Sequence, residues 1–592
     1  MSNENNKQPD VIDGQVKPEQ TKTMAREPRG RLTREDIAKI EIGHTEVKRS
    51  TAWTLILLFL AIVFAVPVSQ HMVDIRAGLA GERPTPVPQF YDIFRMLPAS
   101  AEKAAEEKDS VIATVFTANR YMLKDINVYE DEMKAQSVLT EGLVPPAQLF
   151  MSRFLGVGNE KGFIGREGWL FYRPGVKYLT GKPFLAPDRL AAIEASGSEW
   201  RKAPQPDPRK AIVQFRDQLA ERGIELIVMP TPVKPMIHPE MYTRRADGRQ
   251  IVQNPSYGPF VEQLRAEGVR VFEPGDVLMA RKLASGRPQY HKADTHWLPD
   301  AMQTVAARLA ETARQAAPLR SVSSARYVRK AEQVTNLGDI AIMLKLPEWQ
   351  TLFPPETVTI QRVRTAEGQD WAPSGDAEVL LLGDSFSNIY SLGEMNWGSS
   401  AGLAEQLACE LAAPVDLIAK NDNGSHATRE ALRLDLARGV DRLAGKKVVI
   451  WQFAIRELAV GDWKLMDMKL GEKRAPTTVA AEGLTVQGVV AAASAPRDPD
   501  TVYPDYLRQL HVTDLTVSGG ELGEADIVVY VWSLRGGKPQ PGDDLKPGDR
   551  VRLKLQPWEK ASATVGRLNR SDLDDMDLML KTPWWAAEME KQ

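Results

Sequence analysis

Hydrophobic positions fall into three textures along the 592-residue chain. Residues 51–68 are an uninterrupted uncharged run, close to the lower limit of the roughly 17–25 residues that cross a bilayer as a helix. In the middle of the chain the apolar runs are short and saturated, at 224–229, 269–272, 379–382, 415–418 and 448–453. They alternate with segments of helical periodicity at 211–222, 261–267, 302–313 and 428–443. Short apolar runs separated by amphipathic helices predict an α/β fold around a mostly parallel sheet, with functional residues gathered at the strand carboxyl ends. Beyond about residue 473 the texture changes to short pieces with β character (484–491, 511–517, 527–532, 550–555) broken by Gly and Pro, which predicts an all-β domain.

These textures divide the chain into a polar tail expected to be disordered (1–50, with a short helix at 34–42), a transmembrane helix (51–70) and a helical stalk or platform (71–154) that opens on the proline-rich spacer 81–88. An α/β domain (155–470) and a β-rich domain (475–592) follow. In the last of these, Trp532, Trp558, Trp584 and Trp585 can form either a stacking surface for sugar rings or part of a barrel core.

Charge places the chain in a compartment. Arg26, Arg29, Arg31, Arg34, Lys39, Lys48 and Arg49 precede the apolar run, whereas acidic residues offset Arg76 and Arg83 after it. The positive-inside bias therefore predicts a cytoplasmic N-terminus and a head outside the cytoplasmic membrane. A cleaved signal peptide is the rival reading, but fifty residues ahead of the run make a very long leader. A formal net charge of −3 and pI near 6.3 give no concentrated basic surface for nucleic acid, and favour a neutral or weakly charged substrate. The single cysteine, Cys409, excludes an intrachain disulfide framework and a cysteine-rich zinc site. No histidine has ligand-spaced partners, so no metal is expected.

Two strings carry the chemistry: Asp294-Thr295-His296-Trp297, and Gly383-Asp384-Ser385-Phe386-Ser387 at the end of the run 379–382. A serine hydroxyl is a weak nucleophile at neutral pH, so acyl transfer through it needs an imidazole to take its proton and an anion to orient the imidazole. A strand followed by a tight Gly-Asp-Ser turn and a helix start lifts Ser385 to the carboxyl edge of a sheet, beside backbone amides able to stabilise an oxyanion. Asp294 and His296, two apart before a predicted helix over 299–316, can orient one ring nitrogen inward and the other toward Ser385. Alone, each string reads more simply as a helix cap or a turn. Their conjunction carries the catalytic reading.

The two strings, with Gly165-Arg166-Glu167-Gly168-Trp169-Leu170-Phe171-Tyr172, Pro230-Thr231-Pro232-Val233-Lys234, Gly338-Asp339 and residues 449–457 in the same order, resemble the SGNH-hydrolase-like periplasmic polysaccharide O-acetyltransferases of the alginate type. The likeness spans roughly residues 155–465, with the acid and histidine ahead of the serine, as in the permuted acetyltransferase branch. It implies an SGNH-like α/β domain in which Ser385 is acylated, His296 shuttles the proton and Asp294 orients His296. It also implies a serine amide, a glycine and an asparagine as oxyanion donors. Asn423 and Gly424 can supply these or can form a helix-capping turn before Thr428, and Arg456 and Trp297 are further oxyanion or substrate candidates. Arg456 also suits a structural ion pair.

The function so implied is an inner-membrane, single-pass O-acetyltransferase with its head in the periplasm. It would acetylate a secreted polysaccharide, bind no cofactor and take its acetyl group from a membrane-bound O-acyltransferase partner. A carbohydrate acetylesterase with the same triad and a noncatalytic polysaccharide-binding scaffold are the competing functions.

Overall fold

The computed structural model describes residues 48–79, 89–94, 98, 104–105, 111–135, 137–197, 202–320, 326–421, 423–472, 484–499, 501–520 and 522–592. The tail, the 34–42 helix and the 81–88 spacer lie outside the described residues. The chain separates into two compact units, residues 1–88 and 89–592.

Among its described residues the first unit contains one helix, Arg49–Leu79, whose most apolar 18-residue window has a mean hydropathy of 2.4 and is not buried against protein. By length and composition it can cross a membrane. It extends nine residues past the sequence-predicted end at 70, because Pro67 does not stop it.

The second unit begins with helical segments, including Val111–Ala135 and Val138–Phe150, and then enters the α/β domain. Five strands build its central sheet: β1 (Glu225–Thr231), β2 (Arg270–Val271), β3 (Val379–Gly383), β4 (Val415–Ala419) and β5 (Val448–Ala454). Their spatial order is β2-β1-β5-β3-β4 and every pairing is parallel. All residues of β3, β4 and β5 are buried, which is why these strands read as saturated apolar runs and not as alternating ones. Fully burying a Val, Leu or Ile side chain contributes about 1.5–3 kcal/mol, so this sheet is the energetic centre of the domain.

Pro299–Ala316 forms the helix predicted over 299–316. Proline at its first position suits a helix start, and Ala301, Met302, Val305, Leu309 and Ala313 give it a buried stripe at three- and four-residue spacing. The base loop is thereby tied to the core three residues after His296.

One element escaped the sequence pattern. Tyr327–Asn336 and Glu356–Thr365 pair as an antiparallel ribbon with ten residues in register. Most of its side chains are exposed or half-buried, so it has neither a saturated nor an alternating hydrophobic signature. It delivers Asn336 and Asp339 to the site.

The C-terminal strands form a seven-stranded sheet, closed into a barrel by the additional pairing of Ile527–Arg535 with Tyr506–Ser518. Leu484, Val486 and Val490, with Val551, Leu553 and Leu555 opposite, alternate into its interior. Trp584 and Trp585 are buried, and Trp532 and Trp558 pack half-buried against the core. Leu507, Tyr530, Val565, Leu568 and Trp585 join the same continuous core as the α/β sheet. Arg567 Nη1 also donates to Ser391 Oγ at 2.7 Å. The barrel is packed onto the α/β domain.

Candidate active site

Ser385 opens a short helix, Ser385–Asn388, directly after β3. The turn that carries it is fixed from beneath. Asp384 Oδ1 accepts Phe386 N–H (2.9 Å) and Gln452 Nε2–H (2.8 Å), and Asp384 Oδ2 accepts Ala454 N–H (2.6 Å) from the end of β5. Gln452 Oε1 accepts Asp384 N–H (3.0 Å) and Ser387 Oγ–H (2.6 Å), while its Nε2 also donates to Thr231 Oγ1 (3.0 Å) at the end of β1. Three adjacent strand ends thus hold one turn. A Cβ at Gly383 would lie 2.4 Å from Ser387 Oγ, so only glycine allows this closure.

The base loop is held by partners far away in sequence. Asp294 Oδ1 accepts His296 Nδ1–H (2.7 Å) and His296 N–H (3.0 Å), and Oδ2 accepts Asp339 N–H (3.0 Å) and Trp397 Nε1–H (2.9 Å). Asp339 Oδ1 in turn accepts Thr295 N–H (2.7 Å). Gly338 must precede it: its φ is +92° and a Cβ there would lie 2.6 Å from Ala293 O. Beneath the loop, the buried Lys234 donates to Leu170 O (2.7 Å) and Lys292 O (3.0 Å), and burial lowers its pKa to about 8.

These contacts set the electrostatics. Burial alone drives the His296 imidazole down, but the Asp294 carboxylate in contact with it, with Asp339 and Asp384 behind, holds its pKa above the usual imidazole value. Asp294 is pushed up by burial and brought well below the usual carboxylate range by the charge and hydrogen bond of His296 and by the Trp397 donor. Asp339 is raised to about 6, by burial and by the neighbouring Asp294 carboxylate. With Nδ1–H committed to Asp294, a neutral His296 carries its lone pair on Nε2.

His296 lines a small cleft whose walls include Asp294, Asp339, Glu394 and Tyr503. Its Nε2 is buried and makes no hydrogen bond. Its ring packs edge-on against Phe386, the residue after Ser385, with centroids 4.8 Å apart. The fold therefore brings the Asp294–His296 pair against the serine turn, but Ser385 Oγ is not hydrogen-bonded to the imidazole and Ser385 does not line the cleft.

The remaining candidates separate. Gly424 packs on Asp384, since a Cβ there would lie 3.4 Å from the Asp384 carboxylate. Asn423 is exposed and its carbonyl accepts His426 N–H and Ala427 N–H, which is the capping geometry. Trp297, a substrate candidate by resemblance, is fully buried and donates Nε1–H to Phe386 O (3.2 Å), bracing the serine turn. Arg456 follows β5 with its guanidinium 5.3 Å above the Tyr172 ring and lies outside the cleft lining. Asp294, His296 and Asp339 offer ligand atoms within 4.8 Å of one another, as a metal site does. His296 Nδ1 and both oxygens of Asp294 are engaged in hydrogen bonds, while His296 Nε2 makes none.

Residues 163–455 match the family model described as SGNH hydrolase-like domain, acetyltransferase AlgX. This part of the chain, just under half of it, is similar to that family. It is 25% identical over 305 residues to "Probable alginate O-acetylase AlgJ" of Pseudomonas aeruginosa, covering 50% of this chain and 70% of that protein. It is 28% identical over 254 residues to the Pseudomonas fluorescens protein of the same name, covering 42% of this chain and 60% of that one. The solved O-acetyltransferase domain of Pseudomonas putida AlgJ aligns at 20% identity with a TM-score of 0.37, over 51% of this chain and 93% of that structure. The matched residues contain all five strands of the parallel sheet.

Trp397, Gln452 and Asp339 are the members of the site that sequence reasoning left without a role. Gly338-Asp339 and Gln452 stood in the family strings. Trp397, 103 residues from its partner Asp294, gave no signal.

Proposed function

We propose that this chain is a membrane-anchored periplasmic O-acetyltransferase that modifies a secreted polysaccharide through an acetyl-serine intermediate on Ser385. The observation that carries this reading is the buried Asp294–His296 pair, whose Nε2 has no hydrogen-bond partner and whose ring packs on Phe386 of the serine turn. His296 takes the Ser385 proton as Oγ attacks the acetyl carbonyl, Asp294 stabilises the resulting imidazolium, and the Ser385 amide with the Asn423-Gly424 turn supplies donors to the oxyanion. Hydrogen bonds of this kind commonly tighten only when substrate is bound, so the open Ser385–His296 contact fits the free enzyme. A second half-reaction reverses the proton path and delivers the acetyl group to a sugar hydroxyl.

Anchoring rests on the apolar helix Arg49–Leu79, and the cytoplasmic N-terminus on the basic residues before it. A chain held outside the cytoplasm needs its acetyl group delivered across the bilayer, so a membrane-bound O-acyltransferase is the assigned donor. The chain itself is given no bound cofactor.

Incubating the full chain with a chromogenic acetyl ester, with and without oligosaccharide, tests this. Acetylated oligosaccharide that disappears with Ser385→Ala is the expected result. Ester cleavage unaffected by acceptor, with no acetylated sugar, would make the enzyme an esterase. Activity that survives Ser385→Ala would remove the serine mechanism.

A further inference from the structure

A second histidine, His291, lies fully buried behind the base loop, and its contacts fix where its hydrogens are. Its Nε2 is 2.7 Å from Tyr390 Oη, and Tyr390 Oη is 2.6 Å from Trp297 O. A phenol has one hydrogen and a carbonyl has none, so the phenol hydrogen goes to Trp297 O and the contact with His291 is made by Nε2–H. On the other side of the ring, Nδ1 faces Glu356 Oε2 at 3.4 Å, ion-pair range but too long for a shared proton. Burial pushes the Glu356 carboxyl up, but His291, the Ala293 N–H that it accepts on Oε1 (2.8 Å) and the charge of Lys234 hold it below the usual carboxylate range. A bare lone pair on Nδ1 would point at that anion inside the protein, so Nδ1 carries a hydrogen as well.

The ring sits where such a charge acts on the site. It stacks on Trp397 with centroids 4.0 Å apart and planes 30° from parallel, and Trp397 donates Nε1–H to Asp294 Oδ2 (2.9 Å). A cation over an indole face is attractive, so the stack holds that donor in place. The backbone N–H of His291 donates to His296 O (3.2 Å). Tyr390, two residues beyond the helix Ser385–Asn388, grips the carbonyl of Trp297, whose indole bonds to Phe386 O. One side chain therefore reaches the supports of the acid, the base and the serine turn.

We propose that His291 is a positioning residue of the site, a buried imidazolium paired with Glu356 that locks Trp397 and Tyr390 and sets a fixed positive charge behind Asp294. The ionised groups around it are Glu356 and Asp294, with Lys234 beyond Glu356, while burial keeps the Tyr390 hydroxyl neutral. A positive charge there opposes a second one on His296, so His296 stays neutral, and able to accept a proton, down to lower pH. This effect on the base rests on the function proposed above; the protonation of His291 does not.

Two readouts on the full chain test the proposal. In the ring nitrogen-15 spectrum of histidine-labelled protein at neutral pH, the signals lost in His291→Gln should show a bonded hydrogen on both nitrogens. Should that variant fail to fold, the same ring is identified in the native protein by its proximity to the Trp397 indole. Only one protonated nitrogen overturns the proposal, whatever the enzyme does.

The second readout is the pH profile of acetyl-ester cleavage. His291→Gln keeps a donor for Tyr390 and loses the charge, so the acid limb of kcat/KM should move to higher pH by about half a unit or more. Adding Glu356→Gln, which keeps an acceptor for Ala293 N–H, should bring the limb back toward its native position. A packing role alone would lower kcat and the melting temperature without moving the limb. A limb unmoved in His291→Gln, or unrestored by the second substitution, overturns the proposal. Absence of ester cleavage in the native protein counts against the proposed function, and the ring spectrum then decides alone.

Discussion

Asp384 and Asp294 are both buried carboxylates lying one and two residues ahead of the side chain they serve, and they are satisfied in different ways. Asp384 receives only neutral donors: an amide of its own turn, an amide at the end of β5 and the Gln452 side chain. Asp294 receives two backbone amides and an indole, and in addition the ring of His296, a group that becomes cationic during proton transfer. The first carboxylate serves as a geometric peg for the serine turn. The second is an electrostatic partner whose value depends on the protonation of what it touches. A buried carboxylate near a nucleophile is therefore not by itself a sign of catalysis; the ionisation of its donor separates the two roles.

The largest expected difference comes from neutralising each carboxylate in turn. Asp294→Asn should lower kcat by about 10³–10⁴-fold, because the amide cannot hold the imidazole in the required tautomer or offset its charge. Asp384→Asn should lower kcat far less, and comparable losses from the two variants would break the distinction.

Removing the support beneath the serine turn should act through stability. Gln452→Leu leaves Asp384 N–H and Ser387 Oγ–H buried without partners, and each such loss costs about 1–3 kcal/mol. A thermal melt should fall by several degrees, with a smaller loss of kcat than in Asp294→Asn. An unchanged melt would show that the turn is held by packing alone.

The pH profile sharpens the electrostatic half of the comparison. His296 accepts a proton only when neutral, and its pKa lies above the usual imidazole value, so activity should climb as pH rises through that displaced pKa. Asp339→Asn removes one of the negative charges that raise it and should move the acid limb to lower pH. A limb that stays in place would mean that Asp339 acts on the backbone of Thr295 alone. The smallest effect is expected from Trp397→Phe, which removes one of four donors to Asp294 and should slow kcat by about fivefold, equivalent to roughly 1 kcal/mol.

The two loops also differ in how far they could be read before the fold was known. The serine turn was legible because its parts are adjacent: residues 379–382 form a saturated run, Gly383 permits the close approach of Ser387, and Asp384 bonds to the amide two residues on. Likewise, the helix Pro299–Ala316 shows its start and its buried stripe directly in its spacing. The supports of the base loop were not legible. Asp339 arrives on the end of a solvated ribbon with no hydrophobic pattern, and Trp397 reaches Asp294 across 103 residues. Trp297, named beside His296 only through the resemblance, is fully buried, and its bond to Phe386 O was not legible from the sequence. Local chemistry is written in neighbouring residues; tertiary partners become visible only once the strands are ordered.

The account stands most directly on the identity of the atom that carries the acetyl group. Acid-quenching the full chain during turnover of an acetyl ester, followed by peptide mass spectrometry, should find one acetyl group on Ser385 in the native protein and none in Ser385→Ala. Turnover with Ser385 unmodified, or with the acetyl group on another side chain that is still labelled in Ser385→Ala, would contradict it.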